Sequence, residues 1–333
     1  MVPQADRQIF ALVLLTLVAS FAFLAGFTPM WFTLITVCTF GGPHHWMEFR
    51  YFLSKLPSRF GPLRPFFITA FSGAAILCLM EIGLMRLLAL NQISMPNART
   101  YLCIWNELLI SWMFLLSLLR YRSPSQNLKS SILSSSGPAL AATAANLLSA
   151  QVFSLSVTYL HPLLGLWIFE RELRRTRKDW VDTYHWCLLS IPVGLGLLIW
   201  WLHDKAMPNT SQQMIASLNG NVIGSQLFTD ASTAMLLAVF GFLQMVHYGI
   251  WVIGIPIANR GWKRWRLDRL AITGTKPVLK PFFAIATALG ILAMVYFWIG
   301  YTVDYATTSE IYVTVATLHV LAEVPFIFWM CES

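Results

Sequence analysis

Apolar runs of membrane-spanning length follow one another along this chain, separated only by short polar breaks. About 20 apolar residues in a helix cross the hydrocarbon of a bilayer, and runs of that size occur at 8–27, 66–89, 101–119, 138–160, 184–203, 231–257, 281–301 and 311–330. A ninth run, 30–40, is short. It follows Thr28-Pro29 and meets Gly41-Gly42-Pro43, which reads as a short or re-entrant piece. Of 333 residues 57% are apolar, and 23 basic and 15 acidic side chains are too few to cover a soluble protein of this size. The expected architecture is an all-α polytopic membrane bundle of 8–10 segments in a single domain. A soluble fold, a disordered chain and a nucleic-acid binder are excluded, because the net charge of +8 sits in loops between apolar runs. Five scattered cysteines without C-x-x-C spacing read as reduced thiols.

Lys and Arg in short loops set orientation. Segments 41–65 (Arg50, Lys55, Arg59, Arg64), 170–183 (Arg171, Arg174, Arg175, Arg177, Lys178) and 258–280, with seven basic residues, are expected inside. Loops 90–100, 204–230 and 302–310 are expected outside, and both termini cytoplasmic. The first two basic segments need an even number of crossings between them, yet only three clear spans intervene. The polar stretch 138–169, with Thr143, Asn146, Ser149, Gln151 and Ser154, is therefore expected to break. His161-Pro162 is the expected place, since proline donates no backbone hydrogen bond.

Ionisable groups inside apolar helices are costly and mark candidate sites. Here they are Glu81, Arg86, Glu107, His247, His319 and Glu323, with His161 at the expected break and His44, His45 and Glu48 after the Gly-Gly-Pro. His44 and Glu48 are four apart, as are His319 and Glu323, so each pair shares a helix face. Imidazole with carboxylate suits iron. His44, His45, His247 and His319 are the candidate metal ligands, with Glu48 and Glu323 as ligands or as groups that orient them.

The string Gly42-Pro43-His44-His45-Trp46-Met47-Glu48 resembles the G-x-P-H-G-x-x-D element of the Brp/Blh family of membrane proteins. That family resembles β-carotene 15,15′-dioxygenases, which hold iron on membrane-embedded histidines and cleave carotenoid to retinal. His44 matches the motif's histidine and Glu48 its acid, while His45 replaces the glycine and glutamate replaces aspartate. The resemblance implies a non-haem iron oxygenase in a bacterial inner membrane, acting on a lipophilic substrate such as a carotenoid or isoprenoid, with membrane lipid as its surroundings. Two other readings fit the same residues. One is a proton-coupled transporter using Glu81, Glu107 and His319; the other is a haem- or pigment-binding scaffold.

Overall fold

A computed structural model of the chain describes residues 4–57, 60–90, 92–120, 128–205, 232–259, 273 and 277–330. No strand occurs among them. The helices are α1 (Gln4–Phe27), α2 (Pro29–Lys55), α3 (Arg64–Ala89), α4 (Met95–Arg120), α5 (Leu128–Leu148), α6 (Ala150–Thr176), α7 (Val181–Leu188), α8 (Ser190–Leu202), α9 (Thr233–Gly249), α10 (Ile255–Ala258), α11 (Lys280–Val303) and α12 (Tyr305–Met330). A π turn, Ile250–Gly254, joins α9 to α10. Among the described residues, eight helical stretches are long and apolar enough to cross a membrane. They expose large apolar side chains such as Leu12, Phe23, Phe27, Trp200 and Leu292. The segment 206–231 and, in the basic 258–280 loop, residues 260–272 and 274–276 lie outside the described residues.

The chain forms two compact units. The first comprises Met1–Arg50, Thr158–Arg266 and Phe283–Ser309; the second comprises Tyr51–Val157, Leu267–Phe282 and Glu310–Ser333. In the first unit, α1 packs against α7, α8 and α9. Here Thr33 Oγ1 near the start of α2 donates to the Leu237 carbonyl of α9 at 3.0 Å. The two helices run side by side in the same sense, since His44 and His247, 11 and 10 residues further on, also meet. In the second unit α4 packs against α3 and α5.

The short second segment is corrected by the structure. Residues 30–40 do not stop at Gly41-Gly42-Pro43; α2 runs for 27 residues with Pro43 inside it. Proline deprives the carbonyl four residues back of its helical donor, here that of Thr39. The indole Nε1 of Trp298 on α11 donates to that same carbonyl at 3.1 Å. Gly42 serves the same contact: a Cβ there would stand 2.9 Å from the Met294 side chain and 3.2 Å from its backbone. What reads locally as a stop is a seat for α11. Consequently His44 and His45 lie in the second half of a long helix, not at a helix start, and most of 41–65 is helix rather than loop.

The break near His161 is corrected as well. The interruption within 138–169 falls at Ser149, between α5 and α6, and α6 continues through Pro162. The Ser149 hydroxyl accepts from the Val152 N–H at 3.3 Å, an N-cap contact that opens the new helix. Between the first two basic segments, α3, α4 and α6 are long and apolar enough to cross a membrane, and α5 is not among the helices that are.

Trp298→Phe removes the substitute donor at Thr39 and is expected to cost about 1 kcal/mol. In a Pro43→Ala background the backbone N–H returns to that carbonyl, and the same substitution should cost far less. A two-by-two unfolding series in micelles checks this; equal costs in both backgrounds would contradict the pairing.

Candidate metal centre

Two imidazoles and a carboxylate converge in the first unit. His44 and Glu48 stand one turn apart on α2, and His247 reaches them from α9. One ligand atom from each lies within 4.8 Å of the other two. His247 Nε2 stands 3.9 Å from Glu48 Oε2. Two donors about 2.1 Å from one ion are at most about 4.2 Å apart, so closing on an ion needs movements of less than about 1 Å. Relative exposure is 2% for His44, 1% for Glu48 and 0% for His247. A carboxylate buried to that degree is costly to keep charged without a cationic partner. No cysteine belongs to the set among the described residues.

The histidine tautomers follow from the backbone. His44 Nδ1 faces the Phe40 carbonyl at 3.3 Å, and His247 Nδ1 faces the Pro162 carbonyl at 3.2 Å. A carbonyl only accepts, so each Nδ1 carries the proton and each Nε2 keeps its lone pair for coordination. Metal-binding histidines are commonly oriented this way, by a backbone acceptor on the far ring nitrogen. Pro162 thus sits within α6 where its carbonyl holds His247. Gly165, one turn further along, gives the ring its room: a Cβ there would stand 2.9 Å from His247 Nδ1.

Aromatic rings flank the donors. Tyr248 stacks on His44 at 3.9 Å, and Trp251 stands edge-on to His247 at 6.3 Å. Trp251 belongs to the π turn, whose Ile255 N–H bonds back to the Ile250 carbonyl just ahead of Pro256. Such widened turns recur beside functional sites.

The remaining candidates divide clearly. His45 places its ring 4.0 Å from that of His44 but contributes no atom to the set; consecutive helical residues point about 100° apart. His161, expected only as a break residue, offers a ring nitrogen within 4.8 Å of one on His247. Its position four residues before Gly165 was the available sequence signal, a histidine and a gap on one helix face. His319 and Glu323 belong to the second unit, where Nε2 and Oε1 lie 3.8 Å apart across one turn of α12.

Several other polar residues in apolar helices are bonded by their neighbours. In the second unit Glu107 accepts from Asn146 at 2.6 Å and Thr143 at 3.0 Å. Asn106 donates to Asn146 at 2.8 Å and to the Ala150 carbonyl at 3.0 Å, and accepts from Ser154 at 3.0 Å. Interhelical bonds of this kind contribute about 0.6 kcal/mol each in a membrane, so the cluster acts as a clamp between α4, α5 and α6. Glu81 accepts from Thr317 on α12 at 2.9 Å.

Neither a protein-family model, nor a curated protein, nor a solved structure matches the chain.

Gly165→Ala should push the His247 ring off the Pro162 carbonyl and weaken metal retention about tenfold or more, without removing a ligand. Gly196→Ala, where no atom lies within 4 Å of the new Cβ, is the matched control and should change nothing. Equal retention by both variants, measured as bound metal after gel filtration, would contradict the role given to Gly165.

Proposed function

We propose that the chain is an integral membrane protein with cytoplasmic termini that holds iron between His44, Glu48 and His247 and acts as a non-haem oxygenase on a lipophilic substrate. The observation that carries this reading is the donor set itself, two imidazoles and one carboxylate within 4.8 Å of one another and buried. That set with open positions is the usual protein site for ferrous iron in oxygenases. Iron held there supplies the binding and activation of dioxygen.

The chain's own residues supply the rest. Glu48 brings the negative charge that balances the ion and fixes it against α2. His44 and His247 present Nε2 because Phe40 and Pro162 hold their Nδ1 protons. Tyr248 and Trp251 place aromatic rings beside the donors, surroundings that favour an apolar chain over water. His161 stands next to His247 as a further imidazole. A substrate drawn from the bilayer, such as a carotenoid or another isoprenoid, suits these surroundings, and the likeness of residues 42–48 to the Brp/Blh element points the same way.

Protein purified in detergent should carry iron without a haem band. His44→Ala, His247→Ala and Glu48→Gln should each lose most of that iron while remaining folded. With iron restored to the wild-type protein, oxygen-dependent cleavage or hydroxylation of a carotenoid is the expected activity. His319→Ala and His45→Ala are read separately, each asking whether that residue adds a ligand. Full iron content in all of the first three variants would overturn the centre, and a haem spectrum would favour the pigment-binding reading.

A further inference from the structure

A second site in the first unit lies where α1 meets α7. Arg7, near the start of α1, donates to the Thr183 hydroxyl at 3.3 Å. One turn further along α1, Phe10 stacks on Trp180 at 4.6 Å. Further along, Gly194 meets Ala22 and Gly26 meets Leu198, so α1 runs in the same sense as α7 and α8 and its N-terminus lies at the end where α7 begins, beside the basic run 171–178. A cavity of about 330 Å³ opens there, lined by Arg7, Asp182, Thr183, Ala11, Leu15 and Trp186.

The lining is divided by chemistry. Arg7 and Thr183 form a donor pair for a phosphate oxygen, reinforced by two helix N-termini that both favour negative charge. Asp182 supplies an acceptor of opposite charge on the same wall. Ala11 and Leu15 form an apolar side that continues along α1 through exposed Leu12, and Trp186 is exposed at the rim, the placement tryptophan takes at a membrane interface. A bare phosphate would be repelled by Asp182 and would leave the apolar side uncovered.

We infer that this cavity binds the headgroup of a phosphatidylethanolamine. The phosphate lies against Arg7 and Thr183, the primary ammonium donates to Asp182, and an acyl chain lies along Leu12 and Leu15. The volume is near the lower limit for small-molecule pockets, which suits a headgroup with its chains left outside. A choline headgroup has no N–H to give Asp182, and a glycerol headgroup has no charge for it. The site is independent of the iron centre, and neither reading depends on the other.

The test uses the full chain, delipidated in detergent, with phosphatidylethanolamine, phosphatidylcholine and phosphatidylglycerol of identical acyl composition, and counts bound lipid by native mass spectrometry. Wild type should retain phosphatidylethanolamine about tenfold better than the other two, the scale of one charge-assisted contact. Arg7→Gln and Asp182→Asn should each abolish that preference, and Arg7→Lys should keep part of it. Thermal unfolding in lipid-free detergent verifies that the variants are folded. Equal retention of phosphatidylglycerol or phosphatidylcholine by wild type, or unchanged preference in both Gln and Asn variants, overturns the proposal. So does inorganic phosphate alone raising the unfolding midpoint as far as the lipid does.

Discussion

The Glu48 carboxylate, buried 3.9 Å from the His247 imidazole, is the constraint around which the first unit is organised. A charge so placed must be compensated by a cation or by a donor, because Glu48 is only 1% exposed. His44 and Glu48 can share one face only if α2 stays helical past Gly41-Gly42-Pro43. That continuity in turn rests on Trp298, whose indole takes the carbonyl that Pro43 leaves without its helical donor. His247 meets them only because Gly165 leaves space and the Pro162 carbonyl fixes the ring. Three prolines therefore have separate uses close to one site: Pro43 opens a carbonyl to α11, Pro162 orients a histidine, and Pro256 follows the π turn that carries Trp251.

Much of the architecture was legible from the chain. Apolar runs gave the long helices, and the stretch 138–169, expected to break at His161-Pro162, is interrupted instead at Ser149. The location was misread because proline is the strongest local breaker. At His161-Pro162 the helix nevertheless continues, while the interruption falls at Ser149, whose hydroxyl accepts from the Val152 N–H. Both misread positions have the same origin. A proline removes one donor, and whether the helix ends there depends on what a distant residue offers, which local sequence does not reveal.

The candidate site was legible in part. The i,i+4 spacing of His44 and Glu48 correctly placed both on one helix face, and His247 was recognised as an ionisable group in an apolar run. His45, singled out as an adjacent ligand, contributes nothing to the set because neighbouring helical residues diverge. His161 was undervalued, since its nearness to His247 depends on the gap at Gly165 rather than on anything beside it in the sequence. Glu107 drew suspicion as a membrane carboxylate, yet Asn146 and Thr143 account for it as part of an interhelical clamp.

The central claim is that α2 and α9 hold iron through imidazole and carboxylate. X-ray absorption at the iron edge tests it most directly on detergent-purified protein. The account predicts a shell of nitrogen and oxygen donors with the outer scattering of at least two imidazoles, and the loss of one imidazole's contribution in any iron retained by His247→Ala. Iron ligated by sulfur, iron with no imidazole scattering, or protein that takes up no iron at all would contradict it.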